Sequence, residues 1–298
     1  MANLGSKILV TGATGNVGRQ VVSQLASMGV PVRALVRDRV RDMARNPEAA
    51  AMPAGVEVVH GDLTVPESLD APLEGVDTVF LLWFAPPEAV AAALARIAVP
   101  GRRVVFLSSP HKTQHPFFQG SQPNRGAMLH AEIERRIETS GCQWTIVRPG
   151  MFAINSIGWW APRIRAGEVV RWPYAHVATA PIHERDIAAV AVRALCVEGH
   201  HGKDYVITGP QALTHAEQVE TIGRATGRAV RFEEISPEAA QAELSTVIPP
   251  PVVKMLLAAW GAAAGYPAYL TSNVEAITGN PARSYFDWAR DHAADFGA

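Results

Sequence analysis

Three glycines, Gly12, Gly15 and Gly18, stand at three-residue spacing between an apolar run, Lys7-Ile8-Leu9-Val10, and a stretch in which Val17, Val21, Val22 and Leu25 recur at helical spacing. Strand, tight turn and helix in that order make a phosphate cradle. Gly12 permits the sharp turn, Gly15 lets the backbone approach a pyrophosphate, and Gly18 lets the helix lie close to the strand. Bare N–H groups and the positive helix end then face an anion. Thr11, Gly12, Thr14, Gly15, Asn16 and Val17 are therefore expected to hold a dinucleotide. Farther along, Ser108 and Ser109 end the apolar run that begins at Arg103, at the edge where open α/β sheets place their ligands. His130 follows on a helical stretch; an imidazole there can bond a ribose hydroxyl, relay a proton, or simply pack.

These groups need a sheet to position them. Val30 to Asp38 reads as a second strand ending in charge, as in a βαβ unit. The end of that strand meets the adenosine ribose, where an arginine suits a 2′-phosphate and an acidic residue suits a free hydroxyl. Arg37 thus favours NADP(H) over NAD(H), although Asp38 remains able to serve the NAD ribose, and Arg37, Arg39 and Arg41 also read as a solvated loop and helix start. Val56–Leu63 and Val76–Trp83 supply two more strands. Asp62, after Gly61, is placed either to bond the adenine amine or to close a turn. Leu82, Trp83 and Phe84 lead into Ala85-Pro86-Pro87 and are expected along the cofactor trench. A packing helix around Ala91, Leu94 and Ile97, a helix from Ala131 to Thr139 and a sixth strand, Trp144–Pro149, complete the series.

As a set, Gly12-x-x-Gly15-x-x-Gly18, Gly61-Asp62, the strand ending Ser108-Ser109 and Thr145-Ile146-Val147-Arg148-Pro149-Gly150 resemble the atypical short-chain dehydrogenases/reductases of the NmrA-like type, from the start to about residue 235. The resemblance implies an α/β fold, a doubly wound parallel (Rossmann) sheet with a smaller C-terminal α+β unit for substrate. It implies bound NADP(H), Ser109 beside the nicotinamide, and Pro149, Gly150 and Phe152 near its ring. One departure matters: the usual Tyr-x-x-x-Lys pair is absent, and its positions fall at Gly126 and His130. The expected activity is that of an NADPH-dependent ketoreductase acting on a carbonyl of an aromatic or polycyclic substrate, and its proton would then come from Ser109, from His130 through water, or from a hydroxyl of the substrate. A sensor of the nicotinamide pool and a quinone or enone reductase are the alternatives.

The expected division is a nucleotide domain over 1–150 and a mixed segment over 151–298 that returns to the sheet at about 181–210. Phe152, Trp159, Trp160 and Trp172 concentrate aromatic surface, either as core or as a cleft for an aromatic, polycyclic substrate with Trp159 and Trp160 on its wall. His183 to Asp186 read as capping and salt-bridging residues. With 27 Lys+Arg against 28 Asp+Glu and a net charge of −1, no overall field favours nucleic acid or an anionic membrane. No apolar run approaches the roughly 20 residues of a membrane span, and the start lacks a signal-peptide pattern. A cytoplasmic monomer or homodimer acting on a small molecule is expected. Cys142 and Cys196 lack metal-ligand spacing, so they are expected to be buried apolar residues, with no metal site.

Overall fold

The computed structural model describes residues 7–37 and 52–298. Asp38, Arg39 and Arg41, on which the alternative readings of the ribose end rest, lie outside the described residues. The chain divides into two compact units, one of Met1–Ser109, Met128–Arg148 and Glu184–Tyr205, the other of Pro110–Ala127, Pro149–His183 and Val206–Ala298. The expected cut at residue 150 changes in two respects. The segment directly after Ser109 joins the second unit, and the return to the first runs from Glu184 to Tyr205.

In the first unit, β1 (Lys7–Val10), α1 (Asn16–Ser27), β2 (Val32–Val36), β3 (Glu57–His60), β4 (Val76–Leu82), α2 (Val90–Ile97), β5 (Arg103–Leu107), α3 (Arg125–Thr139), β6 (Gln143–Pro149), α4 (Glu184–Cys196) and β7 (Lys203–Ile207) follow one another, α3 starting and β6 and β7 finishing in the second unit. The sheet order is β3-β2-β1-β4-β5-β6-β7. From β3 through β6 each neighbouring pair of strands runs parallel, with Val10 opposite both Ala34 and Phe80. The order reverses between β1 and β4, which opens a crevice at the carboxyl ends of those strands. A parallel sheet covered on both faces demands apolar strands, and every residue of β2 is buried. That includes Arg33, whose charge is met by the Pro72 carbonyl at 2.6 Å and Glu57 at 3.0 Å. On α1, Val17, Val21, Val22 and Leu25 form the buried face. The helix α3 begins at Arg125 rather than near Ala131, because the Asn124 side chain accepts the Ala127 N–H at 2.9 Å and caps it.

The second unit is α+β and has its own core. Trp160, Trp172, Trp260, Trp288 and Tyr285 are each at most 1% exposed within it. Trp160 is therefore a core residue and not a cleft wall: its ring packs edge-on against Trp172 at 5.7 Å. Trp159 is half-buried against the same cluster, 5.5 Å from Trp172. Two short sheets accompany this core, Ala178–Thr179 with Leu213–Thr214 and Val170–Trp172 with Phe232–Glu234. The helix His215–Thr226 opens on a Thr214/Glu217 capping box and closes at Gly227, at φ +68°. No helix among the described residues is long and apolar enough to cross a membrane. Both cysteines are buried, and burial pushes both thiols up, away from thiolate chemistry.

Candidate functional site

The turn after β1 is built as the glycine spacing requires. Gly12 sits at φ +61°, a left-handed conformation that favours glycine. A Cβ on Gly18 would stand 2.0 Å from the Gly12 carbonyl oxygen, so the helix approaches the turn only because that side chain is missing. Gly15 is the extended N-cap of α1 and leaves the first-turn N–H groups facing outward from the turn. Beneath them, the Thr11 hydroxyl donates to the Leu82 carbonyl at 2.9 Å and accepts the Leu82 N–H at 2.7 Å. The carboxyl ends of β1 and β4 are thereby pinned together.

A cleft of about 210 Å³ opens at this point in the first unit. The turn supplies one wall through Thr11, Gly12, Thr14 and Gly15. Arg37, exposed at the end of β2, stands at its rim, and Gly61, Asp62, Leu82 and Phe84 complete it. Phe84 is 75% exposed, a large apolar surface left open beside the cleft. Asp62 does close a turn, its Oδ1 accepting the Thr64 N–H and hydroxyl, each at 2.8 Å, while it also lines the cleft. Ala85, in the stretch expected along the trench, lines it as well; Leu35, Val36 and Leu63 line it too and were not singled out from the sequence. Their signal was position alone, each adjoining or ending a strand already assigned to the site. The shape and the glycine geometry fit a dinucleotide.

Other expected residues fall elsewhere. Trp83 is 6% exposed and belongs to the core, its indole N–H donating to the Ala85 carbonyl at 2.7 Å. The Val17 side chain is core as well, which leaves only its backbone for a phosphate, whereas Asn16 is exposed at the start of α1. Pro149 ends β6, and Phe152 bridges to Ile182; both belong to the second unit. His115, in the segment after Ser109, has both ring nitrogens engaged, with the Pro267 carbonyl at 2.9 Å and the Phe117 N–H at 3.2 Å, and is a structural residue.

Strand β5 ends at Leu107, and the two serines beyond it diverge. Ser109 is half-buried and its Oγ lies 2.8 Å from His130 Nδ1, with the Phe106 ring edge-on to the imidazole at 5.8 Å. Ser108 is buried, and its hydroxyl donates to Glu134 Oε1 at 2.6 Å. The expected contact of Ser108 with a cofactor is corrected: its hydroxyl is turned inward and committed to that carboxylate. Glu134 is 0% exposed and receives a two-pronged bond from Arg148, at 3.0 and 2.8 Å; Arg148 also pairs with Asp204. Sequence reasoning used Glu134 only as a landmark for Gly126 and His130, and Arg148 only as part of the Thr145–Gly150 motif, and gave neither a role of its own. The available signal was an arginine directly after the strand run Thr145–Val147 and a glutamate one helical turn beyond His130. No cluster of metal-ligating side chains is found among the described residues.

The sequence model of the NmrA-like family matches residues 5–275. The chain is 41% identical over 294 residues to a (4-alkanoyl-5-oxo-2,5-dihydrofuran-3-yl)methyl phosphate reductase of Streptomyces griseus, covering 97% of this chain and 99% of that protein. It is 35% identical over 295 residues to an NAD(P)H azoreductase of Xenophilus azovorans, covering 98% and 99%. Among solved structures, an NADPH-dependent quinone oxidoreductase of Escherichia coli complexed with NADPH superposes with a TM-score of 0.77 at 24% identity, over 95% of this chain and 99% of that one. That likeness speaks for the fold.

Proposed function

Because this chain belongs to the NmrA-like family, we propose that it is an NADPH-dependent reductase whose acceptor is a conjugated carbonyl compound, an enone or a quinone. The observation that carries this reading is the Ser109–His130 hydrogen bond of 2.8 Å at the carboxyl edge of the sheet that also bears the nucleotide cleft. Arg37 at the rim supplies the cation for a 2′-phosphate. The Gly12–Gly15 turn and the N-terminus of α1 receive the pyrophosphate.

A bound reduced nicotinamide supplies the hydride. The residues of this chain then manage charge. As the acceptor gains electrons, negative charge gathers on its carbonyl oxygen, and the Ser109 hydroxyl donates to that oxygen. With its proton on Nδ1, His130 donates to Ser109 Oγ, so a proton given up by Ser109 is replaced from the imidazole and the imidazole from solvent. One hydride and one proton are added, and the tyrosine and lysine missing at Gly126 and His130 are not required.

Two considerations move the acceptor away from the aromatic, polycyclic ketone first expected. Trp160 lies in the core, which removes half of the aromatic wall on which that expectation stood. The names of the relatives describe a ring double bond with two carbonyls on one of its carbons, an azo bond and a quinone. All three are electron-poor conjugated systems. The test is NADPH consumption across a panel of cyclic enones, quinones and isolated aryl ketones. Turnover with the conjugated members and little with isolated ketones is expected; the reverse order overturns the choice of acceptor.

A further inference from the structure

We propose that Glu134 is a positioning residue, which sets the Ser109–His130 proton relay through its buried hydrogen bond with Ser108. The inference rests on the reductase reading above for its catalytic consequence, but its geometry stands apart from it. Three elements meet at the Glu134 carboxylate. Ser108 comes from the end of β5 and donates to Oε1 at 2.6 Å; Arg148 comes from β6 and grips both oxygens at 3.0 and 2.8 Å; the carboxylate itself hangs from α3. The Ser108 N–H also donates to the Val147 carbonyl at 2.8 Å, which fixes the end of β5 against β6.

His130 lies one helical turn before Glu134 on α3, and Ser109 is the next residue after Ser108. Adjacent Cα atoms are about 3.8 Å apart, and four residues of helix rise about 6 Å. The Ser108–Glu134 bond therefore lies beside the Ser109–His130 bond, spanning the same two elements with little chain in between. Holding one pair at hydrogen-bond distance constrains the other.

A buried ion pair is weak evidence of stabilisation, since apolar replacements of similar volume often hold a fold equally well. Glu134 at 0% and Arg148 at 3% exposure occupy interior space that apolar side chains could fill. Directed, charge-assisted bonds offer what apolar packing lacks, a fixed angle and distance. Displacing a catalytic group by about 1 Å can lower a rate on the order of a hundredfold.

The experiment compares the intact protein with Ser108→Ala, which removes the tie and leaves the Glu134–Arg148 pair, and with Ser108→Thr, which restores a hydroxyl. In Ser108→Ala, kcat for the best conjugated acceptor should fall roughly 10- to 100-fold, with NADPH affinity and acceptor KM within about twofold, and Ser108→Thr should recover most of the loss. Nitrogen NMR of labelled histidine, assigned with His130→Phe, reads the tautomer balance of His130 without turnover. The Ala variant should move that resonance and the Thr variant should return it. Glu134→Gln, which keeps oxygen and nitrogen at the same places, serves as the second variant if Ser108→Ala does not fold, and should move the resonance less than Glu134→Ala. An unmoved His130 resonance in the folded variants overturns the proposal whatever the activity. If the wild type turns over no acceptor while the resonance moves as described, the positioning role stands and the reductase reading fails.

Discussion

Thr11 and Leu82 exchange two hydrogen bonds through one hydroxyl, accepting at 2.7 Å and donating at 2.9 Å, at the point where the strand order of the sheet reverses. Thr11 is 1% exposed, so nothing in solvent replaces those bonds. Thr11→Val should cost about 1–3 kcal/mol of stability, the scale for a buried polar group left unpaired. It should also weaken NADPH by loosening the floor of the cleft, while Thr11→Ser should preserve both. Urea denaturation and nucleotide titration of the two variants check this; equal behaviour of Val and Ser would remove the hydroxyl from the account.

Arg37→Ala should separate the two nicotinamide cofactors. A charge-assisted bond to the 2′-phosphate is worth about 1.5–3 kcal/mol, and NADH lacks the phosphate. Titration should show NADPH weakened roughly 10- to 100-fold by that arithmetic and NADH little changed. Equal losses would place the phosphate elsewhere.

The glycines should differ in consequence. A Cβ on Gly18 meets the Gly12 carbonyl oxygen at 2.0 Å, whereas one on Gly15 meets it at 3.2 Å, a contact relieved by a shift of a few tenths of an ångström. Gly18→Ala should fail to form the turn, seen as a large loss of thermal stability. Gly15→Ala should remain folded and bind NADPH less well. A stable Gly18→Ala protein would contradict the geometry.

Much of this was legible in the chain. The spacing of Gly12, Gly15 and Gly18 fixes a turn that few other structures need, and apolar strand runs follow from a sheet covered on both faces. Individual side-chain directions were less legible. Ser108 and Ser109 are identical neighbours in the sequence, yet the hydroxyl of one is buried on Glu134 and that of the other, half-buried, meets His130. Trp83 and Phe84 divide in the same way, one in the core and one exposed. Trp160 reads equally as core or cleft because an aromatic ring serves both, and only the partners Trp172 and His215 decide. The Glu134–Arg148 pair joins helix to strand, and no local pattern announces a contact of that kind.

His215 gives the second unit an acid-sensitive core. Its Nδ1 bonds the Pro173 carbonyl at 3.1 Å, and its buried Nε2 has no hydrogen-bond partner. Burial holds the imidazole down at about 4, against opposing pulls from the Pro173 and Tyr174 carbonyls and Glu234. The unfolded chain binds this proton near pH 6.5 and the folded chain only near 4, so the folded state loses stability as pH falls through that window. The loss should total on the order of 3 kcal/mol, at about 1.4 kcal/mol per tenfold difference in proton affinity. Urea midpoints measured between pH 7 and 4 should fall more steeply for the wild type than for His215→Phe; parallel slopes would show that this histidine is not the cause.

Hydride delivery from NADPH to a conjugated carbonyl acceptor is tested most directly by isotope transfer. NADPH carrying deuterium at the transferable position of the nicotinamide is incubated with the protein and a cyclic enone, and the product is examined by NMR and mass spectrometry. One deuterium is expected on the carbon β to the carbonyl and a solvent-derived proton for the rest, with formation slowed sharply in Ser109→Ala and His130→Phe while NADPH still binds. Deuterium at the carbonyl carbon would make the protein a ketoreductase instead. Tight NADPH binding with no deuterium in any member of the acceptor panel would contradict the claim that the chain is a reductase of such compounds.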